Sequence, residues 1–278
     1  MRQARDKLRE AGVADADLEA EVLLCHAFAI DSAWLYANPE APPPAGHLPA
    51  FVEHLHRRAQ REPLAYIIGG AQFYGREFAV DPRVLIPRPE TELLVERAKS
   101  FAGQLSAPGR TTLRVADVGT GSGILAITLA LELSRAEVHA VDVSAGALEV
   151  ARGNATRHRV ENRVRFHQGD LASPLSGTFD VVVANLPYIR SGDLAGRQPE
   201  LGFEPRSALD GGDDGMRYVG PLIADLPRLL AERGLALLEI DPPIAAAAVR
   251  LARSMAPGAR VAVLDDLAGL NRVLEIGR

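Results

Sequence analysis

Cysteine is nearly missing from this sequence. Cys25 is the only one, so the chain can form no internal disulfide and must hold its fold by a core alone. A lone thiol fits a reducing compartment, and the apolar, helix-like setting of Cys25 marks it as a small core residue. Long apolar runs are missing too. No stretch approaches the ~20 residues that span a bilayer, and Met1-Arg2-Gln3-Ala4-Arg5-Asp6-Lys7 mixes charges without the apolar segment of an export signal. A soluble, cytoplasmic protein without membrane contact is expected. Nor is there a basic excess: the formal net charge of −5 gives no global field toward phosphate backbones and argues against direct nucleic-acid binding. The local cluster of Arg57, Arg58 and Arg61 reads as a solvated helix face.

What is present is apolar patterning over 278 residues, enough for one or two domains with a sizeable core. Residues 1–70 read as a small helical domain, broken at Ala11-Gly12, at Asp31-Ser32 and in the proline-rich Pro39 to Pro44 stretch. Leu18, Val22, Leu23 and Cys25 form one candidate apolar face, and Leu48, Phe51, Val52 and Leu55 another. His54 and His56 lie two apart, point to different sides of a helix and make a poor metal pair. This domain carries no motif for chemistry, so docking a substrate is its expected role.

Gly69-Gly70 closes the last of these helices, and residues 71–86 hold a hairpin or extended connector, Phe73 to Val80, turning at Gly75. Residues 87–278 then form the main domain. In the Leu85 to Val95 stretch Pro89 suits a first helical position, followed by acidic residues that favour a helix start. That stretch is a candidate wall or lid at a cofactor site. Strands at Leu113–Val118, Val138–Asp142, Val164–Gln168, Val181–Ala184, Leu235–Ile240, Val261–Leu264 and Val273–Ile276 alternate with helices from Ile124, from Ala145 and between Gly215 and Ala231. The expected fold is α/β: a doubly wound, mostly parallel seven-stranded sheet. A short loop joins the last two strands, so they should form an antiparallel C-terminal hairpin.

Asp117-Val118-Gly119-Thr120-Gly121-Ser122-Gly123 follows one strand and opens a helix, where glycines let a ligand approach the backbone. The dinucleotide fingerprint needs a glycine at position 124, which is Ile124, and the carboxylate of Asp117 suits a cationic amino group better than a pyrophosphate. Asp142 ends the next strand, where an acid accepts hydrogen bonds from ribose hydroxyls. Asp170 and Leu171 end the third, placed for the amine and the face of an adenine. Together these residues describe a site for S-adenosylmethionine, with S-adenosylhomocysteine as the product. The valine-rich strand ending in Asn185-Leu186-Pro187-Tyr188 brings an amide, backbone carbonyls and a ring to the same end of the sheet. By itself this run specifies methyl transfer to a planar nitrogen, with Asn185 Oδ1 and the Leu186 carbonyl accepting its two N–H groups and Tyr188 packing on its face.

Several segments resemble the family of glutamine N5-methyltransferases that modify peptide chain release factors. They are Tyr66-Ile67-Ile68-Gly69, Phe73-Tyr74-Gly75, the Leu85 to Glu92 stretch, Asp117 to Gly123, and Glu204-Pro205-Arg206-Ser207-Ala208-Leu209-Asp210-Gly211-Gly212. The resemblance covers nearly the whole chain and implies a methyltransferase-type sheet behind a helical front domain. It implies a Gly-Gly-Gln-type glutamine as substrate, with Gly119 to Gly123, Asp142, Leu171 and Asn185 at the cofactor and Asn185 to Tyr188 at the glutamine. The chain departs from the family pattern at Leu186, where a proline is usual, and at Asp241, where glycine is common. An adenine amino group of RNA or DNA, a glutamine of a ribosomal protein, or cofactor binding without turnover are the competing readings. Asp210 to Gly215 lacks the glutamate a calcium loop carries at its twelfth position, here Pro221, and reads as a flexible turn with no metal.

Overall fold

Strand β6, Phe179–Ala184, is buried at every position, because both faces of the sheet around it are covered by helices. Its odd and even residues feed separate cores. Val181 and Val183 pack on one side with Leu94, Val95, Leu125 and Leu129, while Val182 and Ala184 pack on the other with Leu222, Leu226, Ile244 and Ala248. The structure, a computed structural model, describes residues 1–38, 41–42, 46–105 and 112–278. Of the expected break at Pro39 to Pro44, only residues 41 and 42 lie among them.

The chain divides into two compact units, Met1–Gly70 with Gln198–Phe203, and Ala71–Arg197 with Glu204–Arg278. In the second, β1 (Gly70–Phe73) and β2 (Arg76–Ala79) pair through a two-residue turn. Tyr74 and Gly75 hold φ of 52° and 69° there, the left-handed pair that matches hairpin twist. The main sheet adds β3 (Leu113–Val118), β4 (Ala136–Asp142), β5 (Val164–Gln168), β7 (Leu230–Glu239), β8 (Arg260–Asp265) and β9 (Asn271–Gly277), in the order β5-β4-β3-β6-β7-β9-β8. β3 to β7 run parallel, and β9 lies antiparallel between β7 and β8, so the expected C-terminal hairpin is found. The chain runs outward from β3 in one direction, then returns to place β6 on its other side, which creates a switch point between them. Between Gly215 and Ala231 one helix forms rather than several, Val219–Leu229.

In the first unit, helices α1 (Arg2–Glu10), α2 (Ala16–Phe28), α3 (Ser32–Ala37), α4 (Leu48–Ala59) and α5 (Leu64–Ile68) surround Leu8, Leu23, Phe28, Phe51 and Ile67. The expected faces need correction. Leu18, Leu48 and Val52 are exposed, and α4 instead buries Phe51, Leu55 and Arg58, the i, i+4, i+7 stripe. Cys25 is half-buried, not a core residue. The arginine cluster is no solvated face either. Arg58, 4% exposed, grips both carboxylate oxygens of Glu19 and donates to Glu200 at 2.9 Å. Arg61 reaches Glu200 at 2.7 Å and the carbonyls of Ala11 and Gly12, and Arg57 pairs with Glu62. Among the described residues no helix is long and apolar enough to cross a membrane.

Removing one partner of a buried ion pair strands the other charge. Arg58→Ala should therefore cost about 3 kcal/mol or more, and Arg57→Ala, at a more exposed pair, less than ~1 kcal/mol. Chemical denaturation of the full chain checks this; equal losses would contradict it.

Candidate methyl-transfer site

The parallel register sets Val118 of β3 beside Ala184 of β6, so the next residues, Gly119 and Asn185, emerge side by side at the switch point. Gly119 turns with φ +78°, and a β-carbon there would lie 2.7 Å from Leu186 Cδ2. The positive φ favours glycine, and the absent β-carbon leaves room for the Leu186 side chain. The Gly119 and Thr120 N–H groups both donate to the Val141 carbonyl at 2.9 Å, and the chain enters helix α7 (Ile124–Glu132) through Gly123. Asp142 ties the loop to the end of β4: its carboxylate accepts from the Gly121 N–H and the Ser144 N–H, each at 2.9 Å. Leu171 holds a left-handed φ of 47°, backbone strain of the kind that gathers at binding sites.

One cleft collects these groups. Gly119, Thr120, Gly121, Ser122, Asp142, Asp170, Leu171, Asn185, Leu186 and Pro187 line it, ten of the expected site residues. Gly123 does not; it serves the helix entry. Asp117 does not either, and its expected contact with a cationic amino group is corrected. The side chain is fully buried behind the loop, where Oδ2 accepts from Thr120 Oγ1 (2.6 Å) and the Ala126 N–H (3.0 Å). Its Oδ1 has no partner among the described residues, and burial pushes its pKa up to about 7. Asp117 thus pins the glycine loop from within.

Tyr188 also lies outside the cleft lining. Its hydroxyl donates to Glu239 Oε1 at 2.9 Å, and burial beside that carboxylate raises its pKa far above the usual phenol range. The hydroxyl therefore anchors the end of the motif, and the ring stays half-buried. The Asn185 amide nitrogen donates to Thr91 Oγ1 at 3.1 Å, and Thr91 Oγ1 donates to Glu239 Oε2 at 2.6 Å.

The Leu85 to Val95 stretch is a wall of the cleft, as expected: Leu85, Ile86, Pro87 and Arg88 line it. Glu204 binds this wall by accepting from the Ile86 N–H at 3.0 Å and from the Arg88 guanidinium. Pro205, Ser207, Ala208 and Tyr218 line the cleft as well. The expected turn is found at Asp213 to Gly215, and the residues just before it are hydrogen-bonded in place. Gly211 N–H donates to the Ile189 carbonyl (2.8 Å), Ile189 N–H to the Leu209 carbonyl (3.1 Å) and Ser191 N–H to the Gly212 carbonyl (2.9 Å), which clamps the chain just after Tyr188. A β-carbon on Gly211 would meet the Pro187 carbonyl at 2.8 Å. Asp210 accepts from Ser191 Oγ, the Gly212 N–H and Arg206, which holds its pKa down at about 2.

The sequence reading missed Thr91 and Glu239, which are 0% and 1% exposed. A signal existed: Glu239 is an acid at the carboxyl end of an apolar strand, the argument that singled out Asp142.

A glycine turn at the switch point, acids at the next two strand ends and an antiparallel β9 inside the sheet define an S-adenosylmethionine-dependent methyltransferase. The cleft fits that methyl donor. Where a β-carbon of Gly121 would stand there is open space, Asp142 is half-exposed with lone pairs left for ribose hydroxyls, and Val143 beside it is solvent-facing for an adenine. Family models agree, with residues 1–69 matching the PrmC N-terminal domain and residues 91–197 the methyltransferase small domain. The release factor glutamine methyltransferase of Nitratidesulfovibrio vulgaris is 40% identical over 278 residues, 99% of this chain and 92% of that protein. That of Bordetella pertussis is 40% identical over 97% of each chain. Among solved structures, a methyltransferase from Pyrococcus furiosus matches with a TM-score of 0.53 at 18% identity, over 80% of this chain and 98% of that one. The hMettl16 catalytic domain matches at 0.58 and 16% identity, over 81% of each; both likenesses concern the fold alone. The chain belongs to the release factor glutamine methyltransferase family.

Asp117 supplies a pH test. Its pKa in the folded chain, about 7, exceeds the ordinary 3.8, so the folded state holds the proton more tightly and stability falls as pH rises between those values. Asp117→Asn keeps an acceptor for Thr120 and Ala126 but cannot ionise. Without cofactor, its melting temperature relative to the parent should therefore climb from pH 5 to pH 8. A pH-independent difference would contradict this.

Proposed function

We propose that this chain transfers a methyl group from S-adenosylmethionine to the side-chain amide nitrogen, N5, of a glutamine in a peptide chain release factor, acting in the cytoplasm. The observation that carries the substrate class is the extent of the likeness. Relatives named for release factor glutamine match along 97–99% of the chain, including the helical front unit, whereas the solved structures, the RNA-bound hMettl16 among them, share only a fold. The three arginines that offered a basic patch are spent on Glu19, Glu62 and Glu200, which leaves that cluster little charge for a phosphate backbone.

The chemistry needs positioning above all. An amide nitrogen is a poor nucleophile because its lone pair is delocalised into the carbonyl. Asn185 Oδ1 would accept one of its N–H groups and the Leu186 carbonyl the other, aiming the nitrogen and stabilising positive charge as it develops. Leucine serves here because the acceptor is backbone, although it lacks the fixed φ of proline. Bound S-adenosylmethionine supplies an electrophilic sulfonium methyl that needs no acid to leave. Gly119 to Ser122, Asp142, Asp170 and Leu171 would hold it, with Asn185 at the boundary between cofactor and glutamine. After methylation the nitrogen is acidic enough to lose its proton to water, so no side chain is required as a base.

Labelled S-adenosylmethionine offered with release factor, ribosomal proteins or RNA in separate reactions should mark the release factor, and the mark should vanish when its glutamine is replaced. Label confined to RNA would overturn the reading. Asn185→Ala should keep cofactor affinity within a few-fold while turnover falls roughly 100-fold or more, as misplacement by about 1 Å can cost. Near-parental turnover would contradict the role of Asn185.

A further inference from the structure

The two ends of an asparagine amide are nearly identical in shape and opposite in hydrogen bonding. For Asn185 the difference is decisive, since only its oxygen can accept an N–H from a glutamine amide. Packing alone does not choose between the two orientations; a neighbour with a fixed donor or acceptor character must do so. The neighbour on the far side is Thr91, whose Oγ1 lies 3.1 Å from Asn185 Nδ2. A hydroxyl alone is indifferent, because it can donate or accept.

Glu239 removes that indifference. Its Oε2 stands 2.6 Å from Thr91 Oγ1; burial raises its pKa, while the hydrogen bonds from Thr91 and Tyr188 favour the ionised form, whose oxygens only accept. The single hydroxyl proton of Thr91 is therefore committed to Glu239. Both residues are buried, 0% and 1% exposed, and what remains to Thr91 on its Asn185 side is a lone pair. Asn185 must then present its NH2 group to Thr91 and its oxygen away from it. The Tyr188 hydroxyl donates to the other carboxylate oxygen at 2.9 Å, so the same acid fixes both ends of the Asn185 to Tyr188 run.

We infer that Thr91 and Glu239 are positioning residues that set the orientation of the Asn185 amide, making its oxygen the substrate acceptor. The inference rests on the glutamine reading above for what that oxygen does, and on the geometry alone for which way the amide faces. Thr91 belongs to the 3₁₀ turn Pro89–Thr91 at the start of helix α6 (Glu92–Gln104), and Glu239 ends β7. The wall stretch and the sheet thus meet the methyl-transfer motif through one hydroxyl.

Two variants and two readouts test this. Thr91→Val keeps the shape but has no lone pair, and Thr91→Ser keeps the hydroxyl. With release factor as substrate, T91V should lose roughly 10- to 100-fold in kcat, while KM for the release factor and Kd for S-adenosylmethionine stay within about threefold. T91S should stay within about twofold of the parent in kcat. In protein labelled with 15N-asparagine, the Asn185 side-chain amide signals, identified by their loss in Asn185→Ala, should move and exchange faster with solvent in T91V but not in T91S. Should T91V fail to fold, Glu239→Gln serves in its place, since its amide can donate to Thr91 and free the hydroxyl proton for Asn185. Parental turnover in the variant used, an equal loss in T91S, or unmoved Asn185 signals would overturn the inference. If the parent itself leaves the release factor unmethylated, the substrate reading fails, and the amide signals still decide the orientation.

Discussion

The parallel pairing of β3 with β6 is the constraint on which the site depends. With Val118 level with Ala184, the chain has no choice but to place the glycine turn against the start of the Asn185 motif. Contact at Gly119 is so close that a β-carbon would overlap Leu186. A cofactor seated on the glycine turn and a substrate held by Asn185 and Leu186 would therefore share a boundary fixed by strand register, with little left to loop flexibility. Such rigid placement is what a reaction limited by aim requires.

Around that boundary the buried carboxylates do structural work that differs from residue to residue. Asp117 pins the glycine turn from behind, Glu204 ties the Ile86 to Arg88 wall to its own loop, and Glu239 gathers Thr91 and Tyr188. Each is an acid removed from water, held by hydrogen bonds that would be unmade elsewhere. The two departures from the family pattern find places in the same frame. Leu186 turns its side chain inward, 5% exposed, against Gly119. Asp241 accepts from Arg197 at 2.9 Å, fastening the segment that follows the motif to the end of β7.

Short apolar runs alternating with helical spacing made the strands, the hairpins and the mostly parallel sheet legible, because those signals are local; the order β5-β4-β3-β6-β7-β9-β8 across the sheet carries no local signal. The part of the cleft built from Gly119 to Ser122, Asp142, Asp170, Leu171 and Asn185 to Pro187 was legible because these residues follow strand ends that can be found by counting, whereas Pro205, Ser207, Ala208 and Tyr218 were not. Side-chain direction was not. Asp117 and Tyr188 belong to recognisable motifs, yet one is swallowed behind the glycine turn and the other is drawn to Glu239, a partner 51 residues away. Thr91 and Glu239 meet across 148 residues, and no spacing in the sequence announces a pair that only the sheet brings together. In the front unit Arg58 escaped for a similar reason. Charge marked it as surface, and Glu19, Glu200 and the Glu62 carbonyl make its burial tolerable.

The proposed mechanism requires a glutamine amide nitrogen between Asn185 Oδ1 and the Leu186 carbonyl. A crystal structure of the full chain with S-adenosylhomocysteine and the release factor tests it most directly. The glutamine nitrogen should lie within about 3 Å of both oxygens, with Asn185 Nδ2 still on Thr91. A glutamine held elsewhere in the cleft, or an Asn185 turned to face it with its nitrogen, would contradict the account.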